Sequence, residues 1–323
     1  MPSWLAKAIV QKALSGVPGG RRLNHALQTH VTHSLDLDVA RPPHSSRFAY
    51  KLAQCRRHVD NYLAHGGSAA AFTALELGTG WHPIVPIGLY VCGARTVWTL
   101  DREPMLTLGS VREVIQRFVV AAEQPDWTDI LPHADARRVA SLAPLLSASA
   151  TTPHALLRRL DIHILTGDAR ETGLPDASID VIVSNNTLEH IPAAELPAIF
   201  AELRRIARPT AIMSHYIDLA DHYMYVDQHL SPYNFLRFSD RAWTILNNSL
   251  QYMNRLRVSD YRQLHAATGF SLLEEESDAP GHAALDRLSL APRFRSYSTA
   301  DLAVTATWMV STPAMDDDFR SGG

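Results

Sequence analysis

Four short stretches place chemistry-bearing residues directly after apolar runs. The first, Leu75-Glu76-Leu77-Gly78-Thr79-Gly80, ends in two glycines. Glycines there let the backbone approach a ligand closely, and a following helix aims its unpaired N–H groups at the same point. The second run ends at Asp101, 25 residues after Glu76. A carboxylate at a strand tip beyond a glycine loop is placed to accept hydrogen bonds from two ribose hydroxyls. The third is Gly167-Asp168-Ala169-Arg170. Here a carboxylate can accept from the exocyclic amine of adenine while the next backbone N–H meets a ring nitrogen, a polarity that separates adenine from guanine. The fourth runs from Asp180 to Pro192 and carries Asn185, Asn186, Glu189 and His190.

The elements that position these residues alternate. Phe72 to Leu77, Thr96 to Leu100, Ile162 to Leu165, Ile179 to Val183 and Ala211 to Ser214 read as strands, with Phe270 to Leu273 and Leu302 to Val310 completing seven. Helical patterns cover Pro83 to Cys92, Leu196 to Ala207 and Tyr261 to Thr268, the first with proline in its opening turn. Such alternation predicts an α/β fold with a parallel sheet covered on both faces. Residues 102 to 160 read as a helical insert punctuated by Pro125, Pro132, Pro144 and Pro153. Residues 1 to 70 read as a helical N-terminal extension, with Trp4 to Leu14 and Ser46 to His65 as its helices and the roles of packed cap and lid both open. The main domain is expected over 71–312, with a substrate-side insertion at 215–260 and a disordered tail at 313–323.

In this order and spacing, Glu76 to Gly80, Asp101, Gly167-Asp168-Ala169 and Asp180 to Ile191 resemble the class I S-adenosylmethionine-dependent methyltransferases. The resemblance covers residues 72 to 215 by motif and extends to 310 by strand order. It implies a Rossmann-like seven-stranded, mostly parallel sheet whose last strand is antiparallel, with S-adenosylmethionine across the strand ends. Gly78, Thr79 and Gly80 then pass under the methionine part, Glu76 orients its amino group, Asp101 holds the ribose, Asp168 and Ala169 the adenine, and Asn185 lines the sulfonium. Two departures stand out. Trp81-His82-Pro83 replaces a small or glycine continuation, and residues 102 to 160 lengthen one link. A nicotinamide-dependent oxidoreductase is the more distant alternative, because Pro83 stands where the third glycine of that fingerprint falls. A non-catalytic protein that binds the same cofactor is the other.

A hydroxyl or protonated-amine acceptor calls for a general base, and histidine suits neutral pH. His215, after the fifth strand, and His190, after the fourth, are the candidates. Residues 215 to 252 gather eight of the 25 aromatics, among them Tyr216 and Tyr223, with Arg237, Arg241, Arg255 and Arg257 beside or just after them. Aromatic walls with fixed charges describe a pocket for a small acidic or planar acceptor of secondary-metabolite type. A small core of the insertion's own is the competing reading. Asp218, Asp221 and His222, Asn234 to Phe238 and Asn254 to Arg257 also resemble a bacterial subfamily of these enzymes. His215, Asp218, Asp221, His222, Asp227 and His229 carry metal-capable donors, but no two-histidine zinc spacing appears, so the expectation is no metal.

Composition narrows the class. The chain has 323 residues, 46% hydrophobic and 20% charged, with a net charge of -3. Binders of nucleic-acid phosphates carry a basic surplus, so that role is excluded here. Lys7, Lys12 and Lys51 are the only lysines. Cys55 and Cys92 are too few for a disulfide framework, which predicts a reduced, cytoplasmic chain. The longest apolar run, Ile84 to Ala94, is too short to span a bilayer, and the N-terminus lacks the layout of a signal peptide. Oligomeric state is not legible, and contact of the Trp4 to Leu14 helix with a membrane surface is a weaker reading limited by its two lysines.

Overall fold

A computed structural model describes residues 3–16, 47–225, 227–250, 252–281 and 283–315. Seven strands form one sheet: β1 (Thr73–Leu77), β2 (Thr96–Asp101), β3 (Ile162–Thr166), β4 (Ile179–Asn185), β5 (Ala207–Asp218), β6 (Phe270–Asp278) and β7 (Ala306–Pro313). Their spatial order is β3-β2-β1-β4-β5-β7-β6, and β7 runs antiparallel to both neighbours. The expected sheet is therefore the one that forms. All five residues of β1 and six of seven in β4 are buried, as befits central strands covered on both faces.

Helix α1 (Ser3–Ser15) and helix α2 (Arg47–Ala64) precede the sheet. Phe48, Leu52, Cys55, Val59 and Tyr62 recur at helical spacing in α2 and are all buried. They pack with α3 (Ile84–Val91) and α4 (Leu108–Ala122) on one side of the sheet. The other side is covered by α5 (Leu196–Ile206) and, after the short α6 (Asp240–Leu246), by α7 (Val258–Ala267). The prolines of residues 102 to 160 confine the helices after α4 to pieces such as Trp127–Ile130, Ala136–Ala140 and Pro153–Leu157.

Two strand boundaries differ from expectation. β5 continues to Asp218, four residues past Ser214, because it pairs with β4 on one side and β7 on the other. The last strand starts only at Ala306, since Ser298 Oγ accepts from Asp301 N and caps a short helix over Thr299–Ala303. The expected tail falls outside the described residues from 316 onward, while Pro313 closes β7.

Most aromatics of residues 215 to 252 form a second core. Tyr223, Tyr233, Phe235, Trp243 and Phe294 are buried together, and Trp4 and Ala8 of α1 pack against them. Lys12 Nζ ties α1 to this layer by donating to Thr244 O (3.1 Å) and Asn247 O (2.8 Å). Among the described residues, no helix is long and apolar enough to cross a membrane.

Candidate active site

Strand order reverses between β1 and β4, so the loops after their carboxyl ends diverge and leave a crevice, the usual ligand position on an open α/β sheet. A cleft of about 1660 Å³ lies there. Gly78, Thr79, Gly80, Asp101, Asp168, Ala169 and Asn185 all line it. Four strand tips thus bring together residues spread over more than one hundred positions.

Local chemistry explains the glycines. Gly78 has φ +81°, and a Cβ on it would stand 2.3 Å from Thr187 Oγ1. Gly80 has φ +72° with open space on its Cβ side. Both positions therefore exclude larger residues, the first by collision and both by backbone conformation. Gly80 N donates to both oxygens of Asp101, at 3.2 and 3.1 Å. Burial raises the Asp101 carboxyl to about 6, against the opposing effect of the Gly80 and Thr79 N–H groups. Glu76 lies behind the loop, with Thr79 Oγ1 donating to it at 2.6 Å. Burial raises it to about 7, with Lys51 pulling the other way. Asp168 is exposed and clamped by Arg170, which holds its carboxyl down at about 2.

Asn185 is fixed from α2. Asn61 Nδ2 donates to Ser214 Oγ (2.9 Å), so the Ser214 hydroxyl proton is left for His58 Nδ1 (2.8 Å). His58 then carries its proton on Nε2 and donates to Asn185 Oδ1 at 3.0 Å, a tautomer assigned from the network. Burial lowers His58 to about 3 and keeps it neutral. Asn185 Nδ2 is left buried without a partner among the described residues, a donor available to a ligand in the cleft. Replacing His58 with Ala is expected to destabilise the fold by about 2–4 kcal/mol, because two buried polar groups lose their partner. Thermal denaturation checks this, and an unchanged melting temperature would remove the network from the account.

The far end of the cleft combines residues of α2, which sequence reasoning did not select, with part of the 215–229 stretch that carries metal-capable donors. Arg47, Tyr50 and Lys51 enter from α2, while Asp218, His222 and Tyr225 come from the end of β5 and the turn beyond it. Lys51 is lowered to about 8 by burial. It is the one lysine outside α1, and in an arginine-rich chain that rarity was a signal. His190 also lines the cleft, donating Nδ1–H to Tyr252 O at 2.5 Å. Burial lowers it to about 4.

Other expected residues lie elsewhere. His215 is fully buried on the α5 side of the sheet, its Nδ1 paired with Ser184 Oγ at 2.7 Å and its ring near Phe200 and His265. Side-chain alternation along β5 sends His215 to that side while Ser214 faces α2, so a base at 215 is corrected. Tyr216 stands one layer behind the lining, bonded to Tyr50 and packed on Trp308. Tyr223 belongs to the second core. Arg237 and Arg241 are exposed and outside the cleft lining.

Arg255 is buried, donating to Phe235 O and Phe238 O and pairing with Asp240. Arg257 is fully buried against main-chain carbonyls. As substrate ligands, Tyr223 and the four arginines are therefore corrected: they hold the insertion together or face solvent outside the cleft. Asn254 has a related task, with its Nδ2 donating to Leu188 O (2.9 Å) and Ile191 O (3.0 Å) to clamp the turn that presents His190.

Residues 141–214 match a family profile described as "Methyltransferase domain". Over that stretch the chain carries a methyltransferase domain. A comparison with curated proteins returned no match. Among solved structures, the chain is similar to phosphoethanolamine N-methyltransferase 2 from Haemonchus contortus, solved with S-adenosyl-L-methionine (12% identity, 80% of this chain and 52% of that one, TM-score 0.44). It is also similar to geranyl diphosphate methyltransferase in complex with SAM (12%, 87% and 95%, 0.45). A third is a SAM-dependent methyltransferase from Methanosarcina mazei (13%, 79% and 98%, 0.41).

Proposed function

We propose that the protein transfers a methyl group from S-adenosylmethionine to an oxygen or nitrogen of a small molecule. The observation that carries this is the size and continuity of the cleft. At about 1660 Å³ it exceeds the roughly 300–1,000 Å³ of a pocket for one small ligand, and it runs from the strand-tip loops to Tyr50, Tyr225 and Tyr252. Cofactor and acceptor therefore have room side by side.

In this reading, Gly78, Thr79 and Gly80 pass under the methionine part and Glu76 orients its amino group. Asp101 accepts from the ribose, Asp168 and Ala169 meet the adenine, and Asn185 lines the sulfonium end, with Nδ2 left to donate to an oxygen acceptor there. Lys51 and Arg47 supply countercharge for a carboxylate. When bound, the cofactor supplies a methyl group activated by a positive sulfur, and what remains for the chain is alignment and exclusion of water. Alignment of this kind contributes on the order of 7–11 kcal/mol. His190, near pH 4, is a poor general base at neutral pH, since a base works best with a pKa near the operating pH. Its Nε2 lone pair is better suited to receiving a hydrogen bond or a cation.

The test is calorimetric titration with S-adenosylhomocysteine, followed by assay of S-adenosylhomocysteine release across hydroxyl, carboxyl and amine acceptors. Binding with turnover on at least one acceptor class is expected. Absence of binding overturns the cofactor assignment. Firm binding with no release from any class counts against the transfer and favours a non-catalytic binder.

A further inference from the structure

Beyond Asn185, three metal-capable donors from two separate turns converge on the acceptor end of the cleft. Glu189 and His190 come from the turn after β4, and His222 from the turn after β5. Their ligand-capable atoms lie within 4.8 Å of one another. Sequence spacing conceals the group, because the second imidazole arrives from a different strand end.

Each donor is held as a ligand would be. Glu189 is 1% exposed, and neither carboxylate oxygen has a side-chain partner among the described residues, only the main-chain N–H groups of Glu189 and Asp218 facing it. A buried carboxylate left so is expensive, and native structures seldom keep one without an ion, a water or a role. His190 spends Nδ1–H on the Tyr252 carbonyl, which leaves the Nε2 lone pair 4.0 Å from Glu189 Oε1. Fixing an imidazole through a backbone carbonyl on its other nitrogen is how proteins orient a metal-ligating histidine. His222 is buried, and its Nε2 lies 3.1 Å from Asp218 Oδ2, a carboxylate that fixes the ring. Asp218 is itself anchored by Ala220 N (2.9 Å) and Tyr225 OH (2.8 Å).

We propose that Glu189, His190 and His222 form a binding site for a first-row divalent transition ion, with Asp218 positioning His222 and open coordination directed into the cleft. Two imidazoles and one carboxylate suit zinc and its neighbours better than calcium or magnesium. Three protein ligands with a remaining position match sites that also bind substrate. Bonds of about 2.0–2.1 Å put ligand atoms on one zinc ion about 3.3 Å apart, so donors within 4.8 Å of one another must close by up to about 1.5 Å, a movement within reach of side-chain rotation. His190, His222 and Asp218 all face the cleft, so the acceptor such an ion favours carries an oxygen donor, a hydroxyl or a carboxylate, beside the methylated atom.

Metal binding can be read without cofactor or acceptor, which separates this site from the methyl-transfer reading. The experiment titrates the chelator-stripped full chain with Co²⁺, following its ligand-field bands, and with Zn²⁺ by calorimetry. One ion per chain with a non-octahedral Co²⁺ spectrum is expected. Glu189→Gln and His222→Ala should each weaken it by more than about tenfold, the scale set by loss of lesser supporting groups. His229→Ala, an exposed histidine outside the cluster, should leave it unchanged. Circular dichroism reports folding of the variants. Should a variant fail to fold, long-range ¹H–¹⁵N spectra of the wild-type chain decide: Zn²⁺ must shift two of the 16 histidines selectively. No stoichiometric binding, equal binding by both variants, or uniform histidine shifts overturns the proposal. So does a Glu189→Gln chain that melts higher while neither it nor wild type takes up the ion, since Glu189 then serves as a neutral acid.

Discussion

Asp101→Ala is expected to weaken S-adenosylhomocysteine binding about 100-fold while leaving the ligand-free chain folded. Hydrogen bonds to a charged group contribute about 1.5–3 kcal/mol each, so loss of two from a ribose diol costs about 3 kcal/mol or more, and 1.4 kcal/mol is tenfold in affinity. The carboxylate stands at the tip of β2, where its internal partners are the loop N–H groups of Gly80 and Thr79. Its removal therefore breaks no strand pairing.

Burial also makes the charge unfavourable before ligand arrives, since the carboxyl is raised from 3.8 to about 6. A raised acid binds protons more readily in the folded chain than in the unfolded one, so its contribution to stability declines as pH rises from about 4 to about 6. The ligand-free variant should consequently melt no lower than wild type at pH 7, whereas the thermal shift on adding S-adenosylhomocysteine should nearly vanish. In wild type, affinity should fall toward about tenfold per pH unit below about 6, as Asp101 takes up its proton. Asp101→Asn should lose that component. Calorimetry across pH decides the matter, and unchanged affinity in either variant removes Asp101 from the ribose assignment.

The contrast between what could and could not be read follows from the range of the interactions. Strand tips are local: an apolar run followed by Gly78 or Asp101 is legible because one segment carries both the strand and its terminal chemistry. The acceptor end is assembled from α2, the turn after β4 and the turn after β5, and no single stretch carries its pattern. Lys51 and Tyr50 fall within the helical N-terminal extension, and only docking of Phe48, Leu52, Cys55, Val59 and Tyr62 onto the sheet carries them to the cleft.

His215 shows a different limit. A strand end places a residue near the site, but alternation along the strand sends it to one face or the other, and with Ala211 to His215 all buried in a strand covered on both sides no hydrophobic alternation marks which face is which. The aromatic and arginine cluster misleads for a third reason: a small second core needs the same large rings and flat cations as a ligand pocket.

Arg257→Ala separates those two uses of arginine, and its expected effect is on folding. The side chain is fully buried, with its guanidinium donating to Leu219 O at 2.9 Å and to Val304 O. Those carbonyls follow β5 and precede β7, and Arg257 itself stands at the start of α7, so one planar group joins three chain segments. Burial lowers its pKa to about 10, which still leaves it charged at neutral pH, with Asp301 favouring that charge.

Truncation strands buried carbonyls and opens a void, which together cost about 3–5 kcal/mol. For a chain of this size, that is a fall in melting temperature on the order of 10 °C. Arg257→Lys should recover only part of the loss, since an ammonium keeps the charge but cannot span both carbonyls with the same fork. Below the lowered melting temperature, S-adenosylhomocysteine affinity should stay within about twofold of wild type, because the residue touches no cleft-lining side chain described above. Denaturation curves and calorimetry on the same preparation test the assignment. A chain that melts normally and fails only with acceptor would return Arg257 to substrate recognition.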